Sequence, residues 1–170
     1  MIISTDVNVN KFYQRVRFLL GLGNAKGSYA LVLKLPRAEE ITVGSLGTFY
    51  FPKGTYIYCG SAFGNGGVSA RLNHHFRELT SFSPQSNWHI DYFISSTRLP
   101  HIYYSLSPTP LECIWSQSLA KLPGAFIPAK GFGATDCKQK CPAHLIGFPP
   151  GYRSEKWLQA LKVGEQIIQH

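Results

Sequence analysis

The sequence predicts an α+β fold in which helices flank a small antiparallel sheet of three core strands, with extra strands added to it. Three β-type segments follow one another between residues 29 and 59, and only short turns separate them. Later segments repeat their apolar residues at the spacing of a helix. The chain has 170 residues, of which 44% are hydrophobic, and this is enough for one domain with a packed core.

The three core strands are expected at Tyr29–Leu35, Ile41–Phe51 and Thr55–Cys59. The first is almost continuously apolar, which favours a strand covered on both faces. The second contains two glycines, which indicate a bulge or a bend. Tyr56 and Tyr58 are two residues apart on the third strand and therefore share one of its faces. Because the connections are short, we expect an antiparallel meander.

A glycine-rich loop and a helix follow the third strand. The loop Gly64-Asn65-Gly66-Gly67 is too flexible for the interior of a strand or helix. After it, the apolar residues of Val68–Leu79 repeat at helical spacing. Further along, we expect strands at Trp88–Ile94, Pro100–Ser105 and His144–Phe148, and helices at Leu111–Leu122 and Ser154–Ile168.

The expected domain covers residues 25–150. Residues 1–24 are predicted to be an N-terminal extension with a helix at Lys11–Leu22, and residues 151–170 a C-terminal helix packed on the domain. No apolar run reaches the length of a bilayer span. The apolar part of residues 11–23 is shorter than an export segment and is interrupted by arginine. Since there are only four cysteines, we expect a reducing, cytoplasmic setting.

The charge of the chain favours a polyanionic partner. The formal net charge is +8, which indicates nucleic acid first and an acidic membrane surface second. A charge that serves only to keep the protein dispersed is the alternative. The aromatic content of 14% excludes a disordered tail.

The helix after the glycine loop carries residue types that suit a phosphate. Arg71 and His75 are four residues apart and lie on one flank of this helix, near a helix start whose backbone N–H groups favour an anion. Arginine offers a rigid donor fork for a phosphodiester. A tyrosine, with a pKa of about 10, can remove a proton from water only if positive charge lowers that pKa. Buried strand tyrosines and a solvated arginine and histidine are the alternative interpretation.

Four elements together resemble the GIY-YIG endonuclease family, most closely its small stand-alone, Uri-like branch. They are Gly27-Ser28-Tyr29, Tyr58-Cys59-Gly60-Ser61, Arg71 with His75, and Glu112 near the start of a later helix. The resemblance covers about residues 25–148 and implies a three-stranded antiparallel sheet flanked by helices. It also implies a DNA endonuclease that uses one divalent ion, Mg²⁺ or Mn²⁺.

The resemblance implies a role for each of these residues. Tyr29 and Tyr58 line the site, and one of them is the general base. Arg71 binds the scissile phosphate together with Gly60 and Ser61, His75 assists by hydrogen bonding, and Glu112 holds the metal ion.

Three features depart from the family pattern. Ser28 and Cys59 each stand where the family usually has isoleucine. An extra strand-length separates Tyr29 from Tyr58, so Tyr56 is an alternative for the second tyrosine. We prefer Tyr58, because it directly precedes Cys59-Gly60.

Glu112 and a second polar pair each have a structural alternative. Thr109-Pro110-Leu111-Glu112 also matches a capping box, in which the glutamate would close the start of the helix. His89 and Asp91 would share a face of the strand expected at Trp88–Ile94. They would assist the site, bind a second cation, or form only a local hydrogen-bonded contact.

Cys137, Cys141 and His144 are ligand types that bind zinc. A structural zinc site needs a fourth ligand, and Cys113 or Asp136 could supply it. The spacing is not that of a common zinc finger. Buried free thiols beside a core histidine are therefore the favoured interpretation, and structural Zn²⁺ is the alternative.

The sequence thus predicts a metal-dependent DNA endonuclease whose partners are DNA and no membrane. With no second DNA-reading domain in view, a DNA-repair or nuclease partner protein is one way to direct cleavage. A non-catalytic nucleic-acid-binding module on the same scaffold is the alternative function, and a purely structural or interaction protein is a third.

Overall fold

The computed structural model describes residues 5–6, 21–80 and 88–168 of the chain. The fold is α+β, which confirms the predicted class. The strands are β1 (Thr5–Asp6), β2 (Ser28–Leu35), β3 (Glu39–Val43), β4 (Gly47–Phe51), β5 (Gly54–Ser61), β6 (Arg98–Ser105) and β7 (Leu145–Phe148). The helices are α1 (Gly67–Thr80), α2 (His89–Ile94), α3 (Glu112–Ala120) and α4 (Ser154–Ile168).

Within the described residues, five strands form the main sheet in the order β1-β6-β2-β5-β7, with every neighbouring pair antiparallel. The centre is the long pairing of β2 with β5, in which Ser28 lies opposite Ser61 and Leu35 opposite Gly54. Strand β6 pairs with the other edge of β2. The three central strands are therefore β6, β2 and β5.

Both faces of the sheet are covered, as the apolar pattern of the first strand predicts. On one face, Leu31 and Leu33 of β2 pack with Leu72 of α1 and with side chains of α2. On the other, Ala30 and Val32 pack with side chains of α3 and α4. Successive residues of a strand point to opposite faces, so alternate residues of β2 enter two separate cores.

The prediction for Ile41–Phe51 is wrong. This segment forms two strands, β3 and β4, which pair only with each other in a separate two-stranded sheet. The two glycines mark the connection between them: Gly44 and Gly47 have φ values of 47° and 119°, which other residues rarely adopt. The extra strand-length is therefore an insertion beside the main sheet, and the expected meander does not form.

The strand expected at Trp88–Ile94 is also wrong, because residues 89–94 form helix α2. Ile90, Phe93 and Ile94 are fully buried, and their spacing of three and four is helical. At the start of the helix, the Asp91 carboxylate accepts a hydrogen bond from the Trp88 N–H at 3.1 Å. This contact satisfies a donor that a helix start leaves unpaired.

The remaining predicted elements are found with small changes of boundary, at α1, β6, α3, β7 and α4. Helix α4 packs on α3 through Trp157 and Leu161. The predicted helix Lys11–Leu22 and most of the predicted extension, residues 1–24, lie outside the described residues. Among the described helices, we find none with the length and apolar character needed to cross a bilayer.

Candidate active site

A cleft of about 450 Å³ lies at the end of the central strands where β2 begins and β5 ends. Six of the residues predicted for the nuclease site line this cleft: Tyr29, Tyr58, Gly60, Ser61, Arg71 and Glu112. They come from two strands and two helices on opposite faces of the sheet. The fold therefore brings together residues that are far apart in the sequence.

The pairing of β2 with β5 places the two tyrosines. Tyr29 lies opposite Gly60, and a Cβ atom at Gly60 would overlap with the Tyr29 ring. A glycine in the second motif therefore leaves room for the tyrosine ring of the first motif. The Tyr29 and Tyr58 ring centroids are 6.3 Å apart. Tyr56 instead donates its hydroxyl proton to the Pro52 carbonyl, so the structure places Tyr58, not Tyr56, at the cleft.

Helix α1 contributes Arg71 to the cleft and His75 to the layer beneath it. The Arg71 guanidinium lies 4.1 Å from the centre of the Trp88 ring, and this cation–π contact restricts its position. His75 is only 1% exposed, and its Nε2 atom is 2.8 Å from the Tyr29 hydroxyl. The predicted pair on one helix flank thus separates into a cleft residue and a buried partner of Tyr29.

Asp91 extends the buried series of contacts that begins with the Tyr29 hydroxyl and His75; we call this series the buried chain. Its Oδ1 atom is 3.0 Å from His74 Nε2 and 3.7 Å from His75 Nδ1. The latter distance is too long for a direct hydrogen bond but short enough for the charges to interact. The chain therefore runs from the Tyr29 hydroxyl through His75 to a fully buried carboxylate.

His89 takes no part in this chain, although the sequence paired it with Asp91. Its Nδ1 atom accepts a hydrogen bond from the Gly133 N–H at 3.0 Å. Gly133 lies against the Tyr58 ring and lines the cleft. His89 thus holds a loop of the cleft in place, which agrees with the local-contact alternative.

Burial controls the protonation of the tyrosines. It raises the pKa of Tyr58 well above its ordinary value, and the positive charge of Arg71 offsets this only in part. Burial raises the pKa of Tyr29 in the same way. The condition for a tyrosine base, a pKa lowered by nearby positive charge, is therefore not met by the protein groups.

The pKa shifts of His75 and Asp91 favour neutral His75 and ionised Asp91 near pH 7. Burial lowers the pKa of His75, and the Asp91 carboxylate offsets this only in part, so His75 is neutral near pH 7. Burial alone would raise the pKa of Asp91. The neighbouring His75, His74 and the Trp88 N–H outweigh that effect and lower it. Neutral His75, next to a carboxylate, can accept the Tyr29 proton.

Glu112 is the first residue of α3 and lines the same cleft as Arg71 and the tyrosines. Its Oε2 atom is buried and has no hydrogen-bond partner among the described residues. Burial raises the pKa of this carboxyl, and its own backbone N–H only partly opposes the rise. A buried carboxylate oxygen without a partner is costly, and a cation bound in the cleft would relieve that cost.

The capping-box alternative for Glu112 is wrong. The N-cap residue of α3 is Leu111, and no side chain caps the helix there. Instead, the buried Ser28 hydroxyl accepts a hydrogen bond from the Leu111 N–H at 2.8 Å. The first motif is therefore connected directly to the residue before Glu112. The position that departs from the family pattern, Ser28, fixes the start of α3.

The start of helix α1 does not provide the anion site expected there. The Ala25 carbonyl accepts the Val68 N–H at 2.9 Å, and the Gly66 carbonyl accepts the Ala70 N–H. The glycine loop is not among the segments that line the cleft. Arg71 and the end of β5 are therefore the groups of this region that could contact a phosphate.

Next to Glu112 lies a cluster of four sulfur and nitrogen ligands: Cys113, Cys137, Cys141 and His144. One ligand atom from each residue lies within 4.8 Å of every other, so the fourth member is Cys113 and not Asp136. Burial raises the pKa of Cys113, whereas backbone N–H groups of Cys141 and Gln139 outweigh burial and lower that of Cys137. These residues could hold a metal ion.

Sequence reasoning missed the functions of Ser28 and Trp88 at the site. In the sequence, Ser28 stands out only as a departure from the family motif, and its partner Leu111 is far along the chain. The sequence predicts a strand at Trp88 and gives no sign of its contact with Arg71. Nothing in the local sequence around either residue signals these contacts.

A family model described as a domain of unknown function, DUF123, matches residues 28–163. The match covers most of the chain and includes every residue that lines the cleft. No curated protein matches the chain. No solved structure matches it either.

Proposed function

This chain belongs to the DUF123 domain family, and we propose that it is a divalent-metal-dependent endonuclease that hydrolyses phosphodiester bonds of DNA. The observation that carries the proposal is the cleft itself: two tyrosines, an arginine and an unpartnered buried glutamate oxygen line one cavity. The resemblance to GIY-YIG endonucleases adds support, because Tyr29, Tyr58, Arg71 and Glu112, to which it assigns roles, line the cleft. His75 lies beneath it, in contact with Tyr29.

The buried chain beneath Tyr29 suggests how water would be activated. A water molecule in the cleft would give its proton to the Tyr29 oxygen as the Tyr29 proton moves to His75 Nε2, 2.8 Å away. In this scheme neither tyrosine has to be ionised before the reaction. The raised pKa of each tyrosine would oppose such ionisation. Asp91 would stabilise the resulting imidazolium, as a carboxylate does behind a catalytic histidine. His75 is thus the final proton acceptor.

Arg71 is placed to bind the phosphate. Its guanidinium is held over Trp88 and faces the same cleft as Tyr58. A planar donor fork suits two phosphate oxygens and stabilises the charge that develops during attack. Gly60 and Ser61 line the cleft beside it, so the Ser61 hydroxyl or a backbone N–H would complete the phosphate site.

Glu112 fits the single ion that the resemblance implies. One carboxylate with waters and substrate oxygens is a usual environment for Mg²⁺, and the Glu112 Oε2 atom is available for it. When bound, Mg²⁺ or Mn²⁺ would supply charge neutralisation at the phosphate and at the leaving oxygen. Glu112 would hold this ion in the cleft that Tyr29 also lines.

A nicking assay on supercoiled DNA tests the proposal. Wild-type protein should nick DNA in Mg²⁺ or Mn²⁺ and not in their absence. Arg71→Ala should lower the rate by about 10²–10³-fold, the usual effect of removing a group that stabilises developing charge. Glu112→Gln keeps the shape of the side chain but loses its charge, and should abolish the metal-dependent reaction.

Two variants provide matched controls. Arg77→Ala removes an exposed arginine from the same helix, and Glu155→Gln changes an exposed glutamate on α4. Both should nick at the wild-type rate. Nicking that survives Arg71→Ala and Glu112→Gln would contradict the assigned site. Salt-dependent DNA binding without nicking would favour the non-catalytic binding module.

A further inference from the structure

We propose that Cys113, Cys137, Cys141 and His144 bind a structural zinc ion that forms one wall of the cleft. The Cys113 and Cys137 sulfur atoms are 3.4 Å apart, and the Cys113 sulfur is 3.6 Å from His144 Nε2. In a tetrahedral zinc site, Zn–S bonds of about 2.3 Å and Zn–N bonds of about 2.0 Å place ligand atoms about 3.5–3.8 Å apart. The cluster thus has the ligand types and number of a closed zinc site, and these two distances are close to the tetrahedral values, while all four ligand atoms lie within 4.8 Å of one another.

The surroundings of the ligands match those of metal sites. The backbone of His144 is fixed on both sides, because its N–H donates to the Phe132 carbonyl at 2.8 Å and its carbonyl accepts the Cys59 N–H at 2.9 Å. Gln117 lies one turn after Cys113 on α3 and donates a hydrogen bond to the Cys141 sulfur at 3.5 Å, a contact that helps to orient a metal ligand.

The segment that carries the cysteines needs such an anchor. Between α3 and β7 the chain forms turns and one isolated bridge, without a helix or a paired strand. Loops of this length are uncommon in compact domains without another constraint. Ala129 and Phe132 anchor the first part of this segment in the main core. The part that carries the cysteines has only a small apolar cluster of Cys113, Ala134 and Cys141, with Cys137 packed against it. A zinc ion would connect this loop to α3 and to the start of β7.

A disulfide does not explain the cluster. All four cysteines are free thiols, and the 3.4 Å between Cys113 and Cys137 greatly exceeds an S–S bond of about 2.0 Å. Apolar packing of thiols gives no reason for three sulfur atoms and the His144 ring to lie together at one point. Cys59 shows the contrast, since it is buried in the core between β5 and α3 and lies outside the cluster.

The zinc site would also position Glu112. Cys113 directly follows Glu112 on α3, and the His144 carbonyl accepts the Cys59 N–H at 2.9 Å, one residue after Tyr58. Zinc would therefore fix the start of α3 relative to β5. The proposal of a zinc site does not rest on the proposed nuclease activity. The proposal that zinc positions Glu112 for catalysis does rest on it.

Metal analysis tests the site without reference to activity. Wild-type protein purified without chelator should contain one zinc ion per chain, and cobalt exchanged into it should give the charge-transfer absorption of thiolate-bound tetrahedral Co²⁺. Cys137→Ser should lose the zinc, and the matched control Cys59→Ala should retain it. A wild-type protein that holds neither zinc nor cobalt would overturn the proposal, as would an intact mass that reveals a disulfide.

A second experiment separates this proposal from the nuclease. Glu112→Gln should retain one zinc ion while it fails to nick DNA. Removing zinc with a chelator and then restoring only Mg²⁺ should lower nicking about tenfold or more. Nicking that is unchanged after zinc removal would refute the effect on Glu112. A zinc-loaded protein that never nicks DNA would refute the nuclease and leave the zinc site supported.

Discussion

The two walls of the cleft are built in different ways. One wall carries Tyr29, Tyr58 and Arg71, which lie on strands and a helix of regular geometry. The other carries Glu112 and loop residues between Gly133 and Gln139. Glu112 lies at a helix start that has no side-chain cap, and the loop residues lie in a long irregular segment. The first wall is fixed by pairing and by apolar packing. The second wall is anchored in the core at Trp115 and Phe132, but the backbone at Glu112 and the cysteine-bearing loop also depend on a few specific polar contacts.

This difference shows where the site is most vulnerable. On the first wall, a side chain can move only if the sheet or its core moves with it. On the second wall, the Ser28 hydroxyl and the cysteine cluster fix the position of the Glu112 backbone. We therefore expect substitutions on the first wall to change stability and activity together. Substitutions on the second wall should change metal use more than folding.

Gly60→Ala should have the largest effect on the first wall. A Cβ atom there would overlap with the Tyr29 ring, and overpacking of this kind costs about 2–3 kcal/mol. Urea unfolding would measure the loss in the free energy of unfolding. Gly64→Ala is the matched control, because nothing lies within 4 Å of the position of its Cβ atom. Equal stability of the two variants would show that Tyr29 does not need Gly60.

Ser28→Ala tests the second wall and should have a smaller effect on stability. It leaves the buried Leu111 N–H without its acceptor, at a cost of about 1–2 kcal/mol. Because Glu112 follows Leu111, the Mg²⁺ concentration for half-maximal nicking should rise more than the stability falls. Ser116→Ala is the matched control, since it removes another buried hydroxyl, from the helix α3 that also carries Glu112. Unchanged metal dependence in Ser28→Ala would separate Ser28 from the site.

The smallest expected effect is the pH dependence that His75 contributes to stability. Its pKa is lowered in the folded protein, so between that value and about 6.5 the unfolded chain binds more protons than the folded one. The free energy of unfolding should therefore fall as the pH decreases, by at most about 1 kcal/mol from pH 7 to pH 5.5 for this group. Asp91, His74, Arg71 and Tyr29 face His75.

Urea unfolding across this pH range would measure the effect. His75→Gln should give a flatter dependence than the wild type, because glutamine does not titrate. Any part of the dependence that comes from His144 is the same in both proteins. Identical slopes for the two proteins would mean that His75 is protonated equally in the folded and unfolded states.

Several elements were predictable because their signals are local. The continuous apolar run of β2 and the helical spacing of Val68, Leu72 and Phe76 each report burial on their own element. The two wrong elements have local reasons as well. The glycines at 44 and 47 allowed a hairpin where we expected one strand. A six-residue helix, α2, is too short for its apolar spacing to be told from that of a strand.

The order of motifs along the chain was enough to indicate the α+β class and the residues around which the cleft forms. The connections between them depended on tertiary structure: Tyr29 with His75 and Asp91, Ser28 with Leu111, and Cys113 with His144. Each joins residues separated by long stretches of sequence. Hydrogen bonds and metal sites require atoms within a few ångströms of each other, and such distances are set by the packed chain and not by local pattern.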